Sequence, residues 1–125
     1  MAERALVLFA HGARSAAWAA PFERLRDLAR ARTPDVDVSL AFLELMEPRL
    51  PEHVDALAAS GVRAITVVPV FLGQGGHVLR DLPPMIDTLR ARHPGVEIRV
   101  AQAVGEDPTV LDAITSYCLR CLGDA

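Results

Sequence analysis

The sequence has 125 residues, 51% of them hydrophobic and 23% charged, and a formal net charge of −3 at pH 7. A chain of this length forms one domain around a single core, so residues 1–125 are expected to be that domain. The dispersed charges exclude a nucleic-acid-binding or membrane-binding face, and no apolar run approaches the roughly 20 residues of a membrane span. With no signal-peptide pattern at the N-terminus, these features predict a cytoplasmic protein with a small-molecule ligand.

The first predicted strand is a continuous apolar run over residues 5–10. Such a run is typical of a strand that is covered on both faces in a parallel sheet. It ends at His11 and Gly12. Apolar residues then recur at helical spacing over about 18–32, which predicts an amphipathic helix.

The second predicted strand covers residues 36–43 and leads directly into Glu44. A helix follows, which opens at Pro48 or Pro51 and ends near residues 60–61 at a glycine stop.

The third predicted strand, residues 65–72, is rich in β-branched residues and is bounded by a glycine cluster. Gly73, Gly75 and Gly76 allow a sharp turn and a close approach of ligand to backbone. His77 follows at once. This strand therefore ends, like the first, in glycine and histidine.

The last part of the chain predicts two helices around one strand. A short helical turn after His77 is interrupted by Pro83 and Pro84, which are expected to start a third helix that ends near His93. Residues 96–103 alternate in polarity, which indicates an edge or half-exposed strand. A final helix runs from about 107 to 122.

Four strands that alternate with helices through short connections predict an α/β fold. We expect a three-layer sandwich: a four-stranded, mainly parallel sheet with right-handed crossovers and helices on both faces. The pattern predicts no second domain.

Three polar residues follow predicted strands and should meet at one edge of the sheet, since parallel strands point the same way. They are His11, Glu44 and His77. Two imidazoles and a carboxylate suit a divalent first-row metal. The other two histidines, His53 and His93, are predicted to be solvated surface residues.

Other cofactors are not predicted. The glycine cluster lacks the lysine and hydroxyl of a P-loop, and no dinucleotide fingerprint follows a predicted strand, so a nucleotide is not expected. Cys118 and Cys121 are too few for a complete zinc or iron–sulfur site. We expect one core thiol and one boundary thiol.

The segments around these strand ends resemble those of the small, single-domain class II chelatases of tetrapyrrole biosynthesis, and in particular the short sirohydrochlorin cobaltochelatase family. The resemblance covers nearly the whole chain and rests on residues 9–14, 42–44, 68–72 and 76–83. It implies a homodimer in which each chain corresponds to one half of a longer two-domain chelatase. It also implies a lyase that inserts a divalent metal into sirohydrochlorin without ATP.

By this resemblance His11 and His77 correspond to the metal-binding histidines, and Glu44 to an acidic position beside the site. Either an imidazole or Glu44 can take up a pyrrole proton. The carboxylates of a sirohydrochlorin-type tetrapyrrole are expected to bind to the substrate-binding residues, which are Arg14, Ser15, Gly75, Gly76 and Arg80. Co²⁺ is the expected metal substrate, Fe²⁺ the second choice and Ni²⁺ the third.

Two other functions fit the same residues. A non-catalytic metal or tetrapyrrole carrier would use the same histidines without releasing metal into a ring. A histidine phosphatase also places a histidine after a strand, although that family has an arginine where this chain has Ala10.

Overall fold

A computed structural model of the protein describes residues 2–73 and 76–123, with the backbone alone for residues 76–79. The strands are β1 (Arg4–Ala10), β2 (Asp37–Phe42), β3 (Ala64–Pro69) and β4 (Glu97–Val100). The helices are α1 (Ala20–Arg32), α2 (Leu50–Ala59), α3 (Gly76–Arg92) and α4 (Pro108–Leu122). Short 3₁₀ turns occur at Ala16–Ala19 and Val104–Glu106.

The four strands form one parallel sheet in the order β2-β1-β3-β4. Leu8 in the middle of β1 pairs with Leu40 on one side and with Val68 on the other. The predicted α/β fold with a parallel sheet is therefore confirmed. In the described part of the chain, no helix is both long and apolar enough to cross a membrane.

Alternate residues of the strands pack into two separate apolar clusters. Val7 and Phe9 belong to the cluster that α2 and α3 cover, while Leu8 and Ala10 belong to the cluster under Phe22 of α1. Because successive strand side chains point to opposite faces, the two clusters lie on opposite sides of the sheet. The sheet thus has helices on both faces, as predicted.

The third helix differs from its prediction, because it begins at Gly76 and continues through Pro83 and Pro84. Both prolines are exposed, and neither can donate the backbone hydrogen bond of a regular helix. Leu82, Ile86 and Leu89 are buried along one side of this helix. Their packing on the sheet keeps the helix continuous where the local sequence predicts a break.

The last helix buries none of its residues. Its large apolar side chains are exposed, and they include Leu111, Ile114 and Tyr117. Cys118 and Cys121 are both exposed, so the prediction of one core thiol and one boundary thiol is wrong. The helix projects from the domain instead of covering the sheet.

The two histidines predicted to be surface residues are instead partly buried and hydrogen-bonded. His53 Nε2 lies 2.6 Å from Ser39 Oγ, which joins α2 to β2. His93 Nε2 lies 2.6 Å from Asp55 Oδ1, which joins the end of α3 to α2. Both contacts fasten helices at a distance from the strand ends, so these histidines have structural roles.

Candidate functional site at the strand ends

The strand order reverses between β1 and β3, which is the position where open α/β sheets form a ligand-binding crevice. The chain adds β2 on one side of β1, then returns to add β3 and β4 on the other side. In open α/β sheets ligands bind at such a reversal, outside the carboxyl ends of the strands. His11 follows β1 and the glycine cluster follows β3, so both border this crevice. The tertiary structure therefore places His11 at the position where ligands bind in sheets of this kind.

His11 and Glu44 are in direct contact at this edge. His11 Nε2 lies 3.1 Å from Glu44 Oε2, and the two side chains are 43% and 44% exposed. An ionised carboxylate only accepts hydrogen bonds, so a neutral imidazole in this contact has its hydrogen on Nε2 and a lone pair on Nδ1. An imidazole held in this way is ready to bind a metal through Nδ1, since metal-binding histidines commonly donate their other N–H to a carboxylate.

The backbone holds these two residues together beyond the end of the sheet. The Leu43 amide donates to the Ala10 carbonyl at 2.9 Å, and the Glu44 amide donates to the His11 carbonyl at 3.1 Å. Gly12 has a φ of 99°, and a Cβ at this position would overlap the Glu44 carbonyl oxygen. Glycine is thus required here both for its backbone conformation and for its size.

The neighbouring end of β3 is also held by backbone hydrogen bonds and by a contact between aromatic rings. The Val70 amide donates to the Phe9 carbonyl at 2.8 Å, and the Phe71 ring meets the Phe9 ring edge-on at 5.8 Å between centroids. The Gly105 amide donates to the Phe71 carbonyl at 2.9 Å. The strand end that leads toward His77 is therefore fixed up to residue 72.

The structure describes only part of the glycine cluster. The backbone of Gly76 and His77 forms the start of α3, after the segment 70–75 that follows β3. Gly75 and the side chain of His77 lie outside the described part of the chain. The role of His77 as a second metal ligand therefore stays a prediction.

The predicted carboxylate-binding side chains are exposed to solvent. Arg14 and Ser15 lie between β1 and the first 3₁₀ turn, where the Ser15 carbonyl accepts from the Trp18 amide at 3.1 Å. Arg80 is exposed in α3, three residues after His77. The Arg14 and Arg80 segments follow β1 and β3, the two strands that border the crevice.

Among the side chains that the structure describes, no three histidine, cysteine or acidic residues form a cluster that could hold a metal. Of the described side chains at this edge, His11 offers one imidazole nitrogen and Glu44 one carboxylate oxygen.

One unusual residue at this edge was not predicted. Leu45, directly after Glu44, has a φ of 68° and a side chain that is 55% exposed. Left-handed backbone is rare for residues other than glycine, asparagine and aspartate, so a leucine gives no sequence signal for it.

The parallel sheet and the strand-end histidine define a small domain of the class II chelatase type. The CbiX family model matches residues 5–119, and the chain belongs to the CbiX family. This agrees with the resemblance drawn from the strand-end segments.

Curated relatives carry matching names. A sirohydrochlorin cobaltochelatase from Methanopyrus kandleri is 30% identical, over 96% of this chain and 98% of its own length. A sirohydrochlorin ferrochelatase from Bacillus subtilis is 33% identical over 60% of this chain, which is 29% of the longer protein.

Two solved structures show the same fold. A CbiX protein from Marinobacter aquaeolei VT8, described under cobalamin (vitamin B12) biosynthesis, has a TM-score of 0.84 and 35% identity, with 98% and 99% of the two chains covered. The structure of SirB from Bacillus subtilis with Fe³⁺ has a TM-score of 0.80 and 25% identity. The match covers 98% of this chain but 48% of SirB.

Proposed function

We propose that the protein is a chelatase that inserts a divalent metal into sirohydrochlorin without ATP. The observation that carries this proposal is the contact of 3.1 Å between His11 and Glu44 at the carboxyl end of β1. This pair supplies a metal ligand and a proton acceptor beside the crevice where a ligand binds in such sheets. Sirohydrochlorin is the proposed substrate because the relatives are named as sirohydrochlorin chelatases.

In the proposed mechanism His11 binds the metal substrate through Nδ1 while Glu44 holds the Nε2 hydrogen. His77 is the second ligand. As the metal moves to the ring, two pyrrole N–H bonds break and both protons must leave. The carboxylate of Glu44 can accept one of them, and an imidazole released from the metal can accept the other. The metal keeps its oxidation state throughout.

The peripheral carboxylates of the substrate are bound by Arg14, Arg80, Ser15 and the backbone amides of Gly75 and Gly76 in this proposal. Arginine presents a planar fork of donors that matches a carboxylate. The exposure of both arginine side chains supports the assignment, because a polycarboxylated ring approaches from solvent.

Cobalt is the proposed metal, with iron second and nickel third. The matching relatives from several archaea are named cobaltochelatases, while the relative from Bacillus subtilis is named a ferrochelatase. A site of mixed nitrogen and oxygen ligands binds cobalt more tightly than iron in general. A cytoplasmic location is part of the same proposal.

We also propose that two copies of the chain form a homodimer through α4. The helix buries none of its own residues, and four of its five large exposed apolar side chains form one face: Leu111, Ile114, Tyr117 and Leu122. An exposed apolar face of this size favours association. This chain spans about half of SirB. A second copy of the chain would correspond to the other half of SirB. In such a dimer the second copy would form the other side of a cleft at the half-exposed His11.

The first experiment follows the absorbance of sirohydrochlorin with Co²⁺ or Fe²⁺ for the wild type, His11→Ala and His77→Ala, against the spontaneous rate. Many turnovers by the wild type and background rates for both variants are expected. His53→Gln is the control at pH 8, because His53 lies away from the strand ends and should leave turnover unchanged.

A wild-type rate equal to the spontaneous rate would overturn the proposal. A product yield that stops at one equivalent per chain would favour the carrier function instead. The phosphatase alternative is disfavoured by Ala10, which is fully buried directly before His11 and supplies no cation for a phosphate.

A further inference from the structure

Two exposed leucines flank His11 at the carboxyl edge of the sheet. Leu45 follows the end of β2 and is 55% exposed, and Leu72 follows the end of β3 and is 64% exposed. Since β2 and β3 are the two neighbours of β1, these leucines follow strands on opposite sides of the His11 strand. Adjacent strands are about 4.8 Å apart, so the two flanking strands are about 10 Å apart. This separation is comparable to the width of a tetrapyrrole ring.

Leu45 has an unfavourable backbone as well as an exposed side chain. Its φ of 68° lies in the left-handed region, where an L-residue other than glycine is strained. Glycine would adopt the same backbone without this strain. Strained residues of this kind cluster at ligand-binding sites, where the surrounding structure holds them in place. The Glu44 backbone just before Leu45 is held by the contact with Gly12.

Leu72 is an exposed side chain on a fixed backbone. A Cβ at Gly105 would overlap the Leu72 carbonyl oxygen, so the 3₁₀ turn at Val104–Glu106 lies directly against this residue. The hydrogen bond from the Gly105 amide to the Phe71 carbonyl fixes the same contact. A ligand that packs against Leu72 therefore orders little further backbone, which favours binding.

We propose that Leu45 and Leu72 are apolar substrate-binding residues that contact the flat face of the tetrapyrrole ring on either side of His11. This proposal rests on the proposed function and names the surface that recognises its substrate. The carbon faces of the pyrrole rings are apolar, and the carboxylates lie at the periphery. Arginines bind the periphery, while the two leucines hold the centre of the ring over the metal ligand. Neither leucine takes part in metal binding or proton transfer.

The test compares Leu45→Gly and Leu72→Ala with Leu28→Ala. Leu28 is 60% exposed but lies on α1, over one face of the sheet. Each strand-end variant should weaken the binding of metal-free sirohydrochlorin, followed by fluorescence titration, by about ten-fold, since apolar contact area is lost. The Leu28 control should bind as the wild type does. Co²⁺ binding without the ring should stay within about two-fold of wild type, because these leucines contact the ring and not the metal.

Leu45→Gly gives a second readout, because it removes the backbone strain. Its Tm should be equal to or above that of the wild type within a few degrees, while its affinity for the ring falls. A loss of affinity in this variant thus cannot come from unfolding.

The possible failures are distinct. Unchanged ring affinity in both variants of an active wild type would overturn the leucine proposal and leave the chelatase intact. A change of oligomeric state in Leu72→Ala in place of weaker ring binding would also overturn it, and would assign this residue to the subunit interface. A wild type that neither binds nor turns over sirohydrochlorin would overturn both proposals.

Discussion

Gly12 lies against the backbone carbonyl of Glu44 so closely that any larger residue would overlap it. Gly12 is also in a left-handed conformation, with a φ of 99°. Because Gly12 directly follows His11, this contact sets the distance between the imidazole and the carboxylate. The pairing of His11 with Glu44 is therefore built into the backbone at the ends of β1 and β2.

Gly12→Ala should destabilise the protein more than Gly61→Ala. Gly61 has nearly the same conformation, with a φ of 103°, but nothing lies within 4 Å of an added Cβ. Gly61→Ala should thus cost only the left-handed strain, about 1–2 kcal/mol. The overlap with Glu44 should add about 1–3 kcal/mol in Gly12→Ala. Urea unfolding measures both values, and equal costs would show that the contact is not tight.

Glu44→Gln should lower kcat by about 100-fold, in the range typical of a general base. The glutamine oxygen can still accept from His11 Nε2, but the amide cannot take up a pyrrole proton. Steady-state kinetics with Co²⁺ measures the effect. Glu47→Gln, an exposed change three residues further on, is the control. An unchanged kcat would assign the proton to an imidazole or to water.

Ile114→Glu should dissociate the proposed dimer, because it places a charge on the exposed apolar face of α4. Light scattering after gel filtration should give the wild type twice the 13.5 kDa of one chain, and the variant a single chain. Ser116→Glu on the other side of the same helix should remain dimeric. A wild type that runs as a monomer would contradict the assignment of α4.

His53 should make the protein less stable as the pH falls. Burial lowers the pKa of His53 below its ordinary value of 6.5, and the charge of Asp37 opposes this to a smaller extent. The unfolded chain therefore takes up a proton before the folded one does, so stability is complete above pH 6.5 and falls below it. Thermal unfolding from pH 8 to pH 5 should show a steeper loss for wild type than for His53→Gln. Parallel curves would exclude this role.

Asp55 should stabilise the folded protein at neutral pH and lose this effect only in acid. The hydrogen bond from His93, followed by that from Arg92, holds the pKa of Asp55 below its ordinary value of 3.8. Its stabilising effect is present above pH 3.8 and is lost as the pH falls through the lowered value. The stability gap between wild type and Asp55→Asn should therefore be widest near neutral pH and close in acid. Asp87→Asn, whose contact with Arg90 is 3.7 Å and exposed, should show almost no gap.

Sequence reasoning failed where long-range packing overrode a local signal. Pro83 and Pro84 predict a helix start, but the buried side chains of Leu82, Ile86 and Leu89 hold one continuous helix. Cys118 and Cys121 of α4 predict one core thiol and one boundary thiol, but both are exposed. A periodic pattern shows that a face will be covered, but it does not show whether the cover comes from the same chain or from a second copy.

The sequence by itself determined the alternation of strands and helices and the presence of His11 and Glu44 after β1 and β2, because apolar patterns and strand-end chemistry are local. Tertiary structure alone decided that β1 lies between β2 and β3, which creates the crevice beside His11. It also decided the contact between His11 and Glu44 and the left-handed backbone of Leu45. These depend on which strands become neighbours, and that choice is made by packing between residues far apart in the chain.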